Sequence, residues 1–557
     1  MDIKETLRQL IARALKHYLP EPLSHDQDER IVVEVPRNRE FGDFATNVAM
    51  VLAKTLKKNP MVIAEELLPI LSDYPLLEKA TAEKPGFINF VLVKDVSAII
   101  LTRIAEEDAS YGTSNIGKGK RVLIEFVSAN PTGPLHIGHA RNTILGDSIA
   151  RVLEAAGYDV AREYYYNDGG VQMRNLGESL KARYLEILGE KAQFPEGGYQ
   201  GLYMVDIAKK LNDEVGDTWK EADTEKFTQY AADEILKTID ADLKALGIAF
   251  DAWFSEMTLH KNGEVDNTLQ TLKDKGYIYE KDGAAWLATS KFNDEKDRVV
   301  IKSDGEKTYL SPDIAYHKNK FERGYDILIN LMGGDHHGYV PRLRAAVTAL
   351  GYDPSMLHFI LYQMVTLLKG GEKTKLSTRA GEFITLKDMR DELGIDVVRF
   401  FFITRSAHTQ MVFDWELAKE HSMNNPVYYV QYAHARFCSL FKKAEEMGIT
   451  WPGVGKCDLT LLTNESEQDI IKTLARFPEV VERAARTFEP HILTVYVREV
   501  AELFHQYFTL GTKNADYRFI LPDNPELSHA RLALIHCLRI VIRNTLSILG
   551  ISAPESM

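Results

Sequence analysis

The chain has 557 residues, of which 45% are hydrophobic and 26% charged, a composition that excludes a fibrous or peptide-scale protein and predicts three or four globular domains. Its formal net charge of −13 provides no overall positive field, so a nucleic-acid partner would need a local basic patch. The 3 cysteines are widely separated, which excludes a disulfide framework and a four-thiolate zinc site.

The first part of the chain mixes helical and strand patterns. The predicted elements are, in order, a helix over residues 1–20, a strand over Ile31–Val35, a helix around Val48–Leu56 and a strand over Phe87–Val93. The segment Ser110–Lys120 is rich in Gly, Ser and Lys and is typical of a linker. We therefore predict an N-terminal α+β domain over residues 1–112.

After the linker the pattern changes to strand, turn, helix and strand. The predicted elements are a strand over Arg121–Val127, a turn over Ser128–Gly138, a helix over Asn142–Ala156, and strands over Asp159–Tyr166, Ile327–Met332 and Leu357–Val365. This order is that of a βαβ unit, whose parallel strands bind ligands at their carboxyl ends. We predict an α/β, Rossmann-type nucleotide-binding domain over residues 113–420.

Two further regions differ in character from this domain. Residues 181–300 hold 16 basic and 24 acidic side chains, which predicts an acidic surface insertion within this domain. From about residue 421 only helices are predicted. Asn425-Pro426 and Asn524-Pro525 are typical helix starts, and the two helices should end near Gly448 and Gly550. We predict an all-α helical bundle over residues 421–557.

The most informative segment is Ser128–Asn142, which contains His136-Ile137-Gly138-His139. It lies between a strand and a helix, where free backbone N–H groups and the helix dipole favour phosphate. Both imidazoles can donate hydrogen bonds to an α-phosphate under attack by a carboxylate, and Gly138 lets a flat base approach the backbone. Two alternatives are a pair of histidines that caps the helix and one half of a metal site.

This segment resembles the first signature of class I aminoacyl-tRNA synthetases. Lys375-Leu376-Ser377-Thr378-Arg379 is similar to their second signature, a loop that closes over the pyrophosphate during adenylation. Thr378 stands where a second lysine is usual, so Lys375 and Arg379 are the predicted cations. The alternative for this segment is a solvated basic hairpin.

Within that class the chain resembles the bacterial form of the arginyl-tRNA synthetase family over essentially its whole length. The strongest likeness is Glu125–Arg141. Phe41–Asn47 is similar to a loop of the family's N-terminal domain that contacts the tRNA elbow, and Asn425–Arg436 is similar to the first helix of its anticodon-binding bundle. The resemblance implies that L-arginine is activated with ATP to arginyl-adenylate, with tRNA bound, and transferred to tRNA(Arg) for translation, releasing AMP and pyrophosphate.

The resemblance also implies roles for individual residues. The implied catalytic residues are His136, His139, Lys375 and Arg379. The implied ATP-binding residues are Thr132, Gly133, His136, Gly138, His139, Gly334, Asp335 and Ser377. The implied arginine-binding residues are Glu125, Ser128, Ala129, Asn130, His139, Tyr309, Asp313 and His336. The implied tRNA-binding residues are Phe41, Asn47, Tyr429, Gln431 and Arg436.

The chemistry of arginine supports the acidic members of this set. A guanidinium needs carboxylates that accept forked hydrogen bonds and a flat face for packing, which Asp313 and Tyr309 can supply. Structural alternatives stay open: Glu125 pairing with an arginine of the fold, Asp313 capping the helix that follows it, and Asn130 acting as a turn residue before proline. Asp335-His336-His337 also admits a metal-binding interpretation.

The expected partners follow from this interpretation: ATP with Mg²⁺, L-arginine and tRNA(Arg), no structural zinc and no other metal site in the protein. The first residues lack a secretion signal and no run of about 18 apolar residues is found, so we expect a cytoplasmic protein without membrane contact, most simply a monomer. Three rivals are a synthetase for another amino acid, a nucleotidyltransferase with a His-x-Gly-His loop, and a non-catalytic RNA-binding relative.

Overall fold

The structure is a computed structural model that describes residues 3–19, 23, 30–36, 38–72, 74, 77–93, 95–373 and 384–557. Contacts within the chain divide it into two compact units. The first comprises Met1–Tyr111, Leu440–Ala475 and Gln506–Ile540, and the second comprises Gly112–Ser439, Arg476–His505 and Val541–Met557.

The N-terminal part of the first unit is an α+β arrangement. Its elements are α1 (Ile3–Tyr18), β1 (Val33–Glu34), β2 (Phe44–Thr46), α2 (Val48–Leu56), α3 (Pro60–Ser72), β3 (Leu77–Glu83), β4 (Phe87–Leu92) and α4 (Asp95–Glu107). The four strands form an antiparallel sheet in the order β1-β2-β4-β3. Helix α2 buries Val48, Ala49 and Leu52, whose three- and four-residue spacing places them on one face.

The second unit begins with the parallel sheet and its helices. The elements of this part are β5 (Arg121–Glu125), α5 (Ile137–Ala155), β6 (Asp159–Tyr166), α6 (Gly170–Ile187), α7 (Leu202–Val215), α8 (Thr224–Ala245), β7 (Ala252–Ser255), α9 (Glu256–Lys261), α10 (Glu264–Asp274), β8 (Ile278–Lys281), β9 (Ala284–Leu287), β10 (Arg298–Ile301), α11 (Leu310–Glu322), β11 (Ile327–Gly333), α12 (Val340–Leu350) and β12 (Leu357–Tyr362).

The remaining described elements are mostly helical. They are β13 (Val365–Lys369), β14 (Glu372–Lys373), α13 (Leu386–Leu393), α14 (Ile395–Phe402), β15 (Met411–Asp414), α15 (Trp415–Lys419), α16 (Pro426–Glu446), α17 (Glu465–Ala475), α18 (Phe477–Thr487), α19 (His491–Lys513) and α20 (Pro525–Ile548). None of the helices in the described part of the chain is long and apolar enough to span a bilayer.

The central sheet has the order β12-β11-β5-β6-β7, and all of its strands are parallel. From β5 the chain builds outward to β6 and β7 and later places β11 on the other side of β5. The topological switch point therefore lies between the carboxyl ends of β5 and β11, the position at which such sheets bind nucleotides. This arrangement confirms the predicted Rossmann-type α/β fold, flanked by an N-terminal α+β part and C-terminal helices.

Helix α11 lies against this switch point and is fixed there by apolar packing. Leu310 and Ile314 of α11 belong to one buried cluster with Leu269 of α10 and Leu343 of α12. Burial of one such aliphatic side chain contributes about 1.5–3 kcal/mol. The polar side chains of α11 are thus carried by a firmly packed helix.

The structure corrects two predicted boundaries. The strand predicted over Leu357–Val365 is two strands in different sheets, since β12 ends at Tyr362 and β13 pairs with β14 and β15. The chain turns between them, where the Gln363 N–H donates to the Ala407 carbonyl at 3.0 Å. The helix predicted from Asn142 begins at Ile137, within the histidine motif. The proposed domain boundaries stay predictions.

The acidic stretch about 181–300 contains both added elements and one strand of the central sheet. Helices α7 and α8 fall within it, and α6 extends into it. Its strands β8 and β9 form, with β10, an antiparallel sheet in the order β10-β9-β8. The insertion therefore holds helices, the edge strand β7 of the central sheet and a small second sheet.

Candidate active site

The chain leaves β5 through a strained turn. Val127 and Ser128 have φ angles of 64° and 45°, a left-handed conformation that is rare for a β-branched valine. The Val127 N–H donates to Asn142 Oδ1 at 3.0 Å, and Ser128 Oγ donates to Glu125 at 3.0 Å. Such strain persists where the surroundings enforce it and is concentrated at functional sites. Here it directs the loop over the carboxyl end of β5.

His136 and His139 form a reciprocal cap at the start of α5. His136 Nδ1 accepts the Gly138 N–H at 3.0 Å, and His139 Nδ1 accepts the His136 N–H at 3.2 Å. Each accepting Nδ1 carries no proton, so the proton of a neutral ring sits on Nε2. Burial lowers the pKa of both rings, that of His139 to about 3 with a further contribution from His136.

The capping alternative from the sequence is therefore realised, and it is compatible with a catalytic role. Two neutral imidazoles carry their N–H on Nε2, away from the capping bonds. A Cβ at Gly138 would lie 2.7 Å from the His136 ring, so the glycine is required by the histidine itself. The predicted reason, approach of a flat base, is not needed to explain it.

The loop between β5 and α5 is anchored by hydroxyl groups and by one buried arginine. Tyr164 donates to the Ala129 carbonyl at 2.8 Å, and Tyr203 donates to the Thr132 carbonyl at 2.6 Å. A Cβ at Gly133 would lie 3.1 Å from the Tyr203 hydroxyl. Arg141, 1% exposed, donates to the carbonyls of Gln363, Ser406 and Thr409. These bonds fix the loop before any ligand binds.

Two acidic residues of the central sheet are neutralised by Lys320 of α11 and by Arg323, which follows α11. Glu125 and Glu163 are register partners on β5 and β6. Glu125 forms an ion pair with Lys320. Glu163 is paired twice with Arg323, at 2.5 and 2.8 Å, and accepts the Tyr316 hydroxyl at 2.7 Å. Burial alone would raise the pKa of Glu163, but these partners lower it.

Two other acidic residues accept hydrogen bonds from neutral donors alone among the described residues. Asp313 of α11 accepts the Tyr339 hydroxyl. Glu256 of α9 accepts the Tyr165 hydroxyl at 2.5 Å and the Asn167 amide at 2.9 Å. Burial raises the pKa of Asp313 to about 7; the Tyr339 bond opposes this rise and the charge of Glu256 adds to it. Burial also raises the pKa of Glu256.

One histidine lies near Glu256 and opposes the rise in the pKa of this carboxyl group, without a hydrogen bond to it. His260 Nε2 lies 3.9 Å from Glu256 Oε1, beyond hydrogen-bond distance. Asp313 and Glu256 are therefore two acidic side chains of which the second raises the pKa of the first, and neither accepts a hydrogen bond from a lysine or arginine in the described part of the chain. A cationic ligand would satisfy both.

The other predicted substrate residues have more varied surroundings. Asn130 donates to Gln172 at 3.0 Å and accepts the Asn167 N–H at 3.1 Å, so it bridges two loops. Tyr309 precedes α11 with 84% of its surface exposed. Asp335 and His336 are exposed in the turn after β11, 3.8 Å apart. Their substrate contacts stay predictions.

The whole of the second signature, Lys375–Arg379, lies outside the described residues. Lys375, Ser377 and Arg379 all fall in that range. The described chain resumes beside the first signature: the Ile137 N–H donates to the Ile384 carbonyl at 3.0 Å, and the Leu386 N–H donates to the Leu135 carbonyl at 2.9 Å. The stretch that follows the second signature is thus hydrogen-bonded to the loop that carries the first.

The predicted tRNA-binding residues include both exposed and structural side chains. In the first unit Phe41 is 43% exposed, whereas Asn47 bonds to the backbone of Arg30 and Val32 at 3.0 and 2.8 Å. In the second unit three further residues stand on α16. Gln431 is buried and bonds to Asp396 at 2.7 Å, the Tyr429 ring packs on His505, and Arg436 lies over Tyr432 at 5.0 Å.

Sequence reasoning missed several residues of the site. They are Glu163, Tyr165, Glu256, Lys320, Arg323 and Tyr339. None stands in a recognisable motif, because their meeting depends on the order of the strands. The one available signal was charge within apolar elements, such as Glu163 in β6 and Lys320 in α11, which requires a partner when buried. Among the described residues no group of three His, Cys, Asp or Glu is arranged to hold a metal ion.

Comparison with known proteins identifies the family. Residues 100–399 match the family model of class I (R) tRNA synthetase catalytic domains, residues 3–92 match the arginyl-tRNA synthetase N-terminal domain, and residues 430–557 match the DALR anticodon-binding domain. The chain is 46% identical to the arginine–tRNA ligase of Syntrophotalea carbinolica over all of both chains.

Solved structures agree with this assignment. A crystal structure of a Campylobacter jejuni protein titled arginyl-tRNA synthetase is 35% identical, with a TM-score of 0.75, over 84% of this chain and all of the other. Thermus thermophilus arginyl-tRNA synthetase has the same fold, with 23% identity and a TM-score of 0.75 over all of both chains. This chain therefore belongs to the arginyl-tRNA synthetase family of class I aminoacyl-tRNA synthetases.

Proposed function

We propose that the protein activates L-arginine with ATP to arginyl-adenylate and transfers the arginyl group to tRNA(Arg) for translation. The observation that carries this proposal is the acidic pair Asp313 and Glu256, neither of which accepts a hydrogen bond from a lysine or arginine in the described part of the chain. Glu256 is linked to the loop that carries the two histidines through Asn167, which also bonds to Asn130. Membership of the family supplies the reaction class, and the acidic pair supports the amino acid.

The acidic pair selects a cationic side chain. A guanidinium between Asp313 and Glu256 would convert two costly buried charges into charge-assisted hydrogen bonds. A neutral amino acid would leave both carboxylates unpaired, and lysine offers a point charge where arginine offers a planar fork. Glu125, Ser128, Ala129 and Asn130 are the proposed contacts for the other end of the amino acid, and Tyr309 and His336 are proposed at its side.

ATP would bind at the switch point. The start of α5 and the loop with Thr132 and Gly133 would receive its phosphates, and Gly334 and Asp335 would border it from the end of β11. Mg²⁺ would arrive bound to the ATP phosphates, since this ion keeps several of its waters and binds substrate phosphates readily. A Cβ at Gly334 would lie 3.0 Å from Gln363, so little room remains there for a larger residue.

The reaction would proceed in two steps. First, an arginine carboxylate oxygen attacks the α-phosphorus, the bond to the bridging oxygen breaks, and pyrophosphate leaves. The Nε2–H groups of His136 and His139 would donate to the oxygens that gain charge, and Lys375 and Arg379, with Ser377, would serve the leaving pyrophosphate. Second, a hydroxyl of the terminal ribose of the tRNA attacks the arginyl carbonyl, loses its proton, and AMP leaves.

The tRNA would be held by both ends of the chain. We propose Phe41 and Asn47 in the N-terminal domain, residues 1–112, and Tyr429, Gln431 and Arg436 in the C-terminal domain, residues 421–557, with catalysis in residues 113–420. Unpaired bases are read by stacking and by edge hydrogen bonds, which aromatic and arginine side chains provide. We further propose a cytoplasmic monomer.

The decisive experiment is amino-acid-dependent exchange between ATP and pyrophosphate. The purified protein is assayed with each of the twenty amino acids, with and without total tRNA. Of the twenty amino acids, we expect only arginine to support exchange, and only when tRNA is present. Exchange with a different amino acid would identify another synthetase, transfer of the nucleotide to another metabolite would identify a nucleotidyltransferase, and no reaction despite RNA binding would identify a non-catalytic relative.

A further inference from the structure

Lys320 lies beneath the candidate site with only 1% of its surface exposed. A buried ammonium group is costly unless each of its donors has a partner. Lys320 Nζ pairs with Glu125, donates to Asn330 Oδ1 at 3.0 Å, and lies 4.2 Å from the centre of the Tyr316 ring. All of its bonding directions are thus used between β5, β11 and its own helix.

A second set of bonds holds Lys320 in this position. Asn330 is the register partner of Glu125 on β11, and its amide Nδ2 donates to His317 Nε2 at 2.9 Å. His317 Nδ1–H in turn donates to the Asp313 carbonyl at 2.7 Å. This pattern requires a neutral His317, and burial lowers its pKa to about 3. The lysine is therefore aimed by a fixed amide.

We propose that Lys320 is a positioning residue for arginine: it holds the Glu125 carboxylate in one place at the carboxyl end of β5 and leaves the uncompensated charge at Asp313 and Glu256. The proposal rests on the proposed arginine activation. Lys320 itself touches no substrate in this scheme, because its ammonium group is enclosed by protein. Its effect on arginine is exerted through Glu125.

The same charge acts on Asp313 at a distance. The titratable and charged groups that face Asp313 are Glu125, Tyr165, Glu256, His317, Lys320 and Tyr339. Glu125 and Glu256 raise the pKa of Asp313, whereas Lys320 lowers it. Loss of Lys320 should therefore move protonation of Asp313 to higher pH, and loss of Glu125 should move it to lower pH.

The test begins with Lys320→Met, assayed by tRNA-dependent ATP–pyrophosphate exchange. Loss of a charge-assisted bond at the arginine site should raise KM for arginine by roughly 10- to 100-fold. The acid limb of kcat/KM for arginine should move to higher pH, while KM for ATP stays unchanged. The matched control is Lys318→Met on the same helix, which breaks only the surface pair with Glu322 and should alter none of these quantities.

Glu125→Gln and the double variant complete a cycle that also serves if Lys320→Met does not fold. The double variant leaves no unpaired buried charge at this pair, so it should fold. We expect the double variant to have the same KM for arginine as Glu125→Gln. Its acid limb should lie at a higher pH than that of Glu125→Gln and close to that of the parent protein. An acid limb and KM that do not respond to Lys320→Met in either background would overturn the inference.

The two proposals fail in different ways. If the parent protein shows no arginine-dependent exchange, the proposed function is wrong and the variants are uninformative about arginine. If the parent is active and Lys320→Met lowers only the melting temperature, Lys320 is a structural ion-pair partner and the positioning role is wrong.

Discussion

Two regions of the site each hold two acidic side chains that are buried or partly buried. One region is the face of the sheet under α11, the other is the start of α9 and α11, and the two regions differ in the partners of these acids. Glu125 and Glu163 on the sheet are bonded to Lys320 and Arg323. Asp313 and Glu256 are bonded to tyrosines and an amide. Glu125 and Glu163 therefore have their cationic partners within the protein itself.

The difference shows how one residue type can serve structure and recognition in the same pocket. A buried carboxylate bonded to a cation is stable and unavailable, and removing its partner is costly. A buried carboxylate bonded only to hydroxyls keeps its charge at an energetic cost that a ligand can relieve. The second pair is therefore expected to lower stability without ligand and to bind a cation, which the following substitutions examine.

The largest effect on activity is expected for Asp313→Asn. Loss of a buried charge that pairs with a ligand cation should lower kcat/KM for arginine by roughly 100- to 1,000-fold. Asparagine still accepts the Tyr339 hydroxyl, so the fold should be retained. The matched control is Glu322→Gln at the exposed end of α11, which should leave kcat/KM unchanged. Equal activity of Asp313→Asn and the parent would refute the recognition role.

The same variant should have a characteristic effect on stability. The folded-state pKa of Asp313 is raised to about 7, above its usual value, so the folded protein binds the extra proton and its stability falls as pH rises through that interval. Asp313→Asn has no carboxyl group to ionise at this position, so its stability should not fall with rising pH for this reason. Its melting temperature should exceed the parent's above pH 7 and approach it in acid, as measured without ligands.

Arg323→Met should lower the stability of the protein and leave KM for arginine almost unchanged, the opposite of the effects expected for Asp313→Asn. It leaves Glu163 buried with one hydroxyl partner, which should cost about 3 kcal/mol of stability. Arg323 faces the sheet and is not proposed to touch arginine, so KM for arginine should change little. Thermal unfolding and exchange kinetics measure the two quantities. A large rise in KM for arginine with an unchanged melting temperature would show that Glu163 takes part in arginine recognition together with Asp313 and Glu256.

The pH dependence of kcat/KM for the parent protein tests the role of Asp313 in arginine recognition without any substitution. Below its pKa of about 7 Asp313 is protonated and offers arginine no charge. At saturating ATP, kcat/KM for arginine should therefore fall by about tenfold per pH unit well below that value and level off above it. An acid limb near the usual pKa of a carboxyl group would show that Asp313 stays ionised in the free protein.

The sequence was informative wherever local pattern decides structure. The strand–turn–helix around His136 and the apolar strands predicted the parallel sheet and a ligand site at the carboxyl ends of its strands, because period and turn residues are local properties. The four-acid arrangement was not predictable. Glu163 and Glu256 meet α11 only because β5 lies between β6 and β11, and no spacing along the chain encodes that order.

The same limit explains the interpretation of Glu125. Its pairing within the fold was an open alternative with an arginine as partner, and the partner is a lysine that lies far along the chain. The histidine cap was likewise an alternative to catalysis. The structure shows a cap that uses only the Nδ1 atoms of the two rings, which is compatible with the predicted role of the Nε2–H groups.

The smallest effect is expected for Tyr339→Phe, which removes the hydroxyl that donates to Asp313. That bond lowers the pKa of Asp313, so its loss should shift the acid limb of kcat/KM for arginine to higher pH. Above the limb Asp313 is ionised with or without the hydroxyl, and kcat/KM should be within about fivefold of the parent's, the worth of one net hydrogen bond. Tyr352→Phe, which removes a surface bond to Glu322 at 3.3 Å, is the control and should leave the limb in place. A limb that moves to lower pH would mean that the tyrosine destabilises the carboxylate, and the contrast between hydroxyl-bonded and cation-bonded acids would lose its basis.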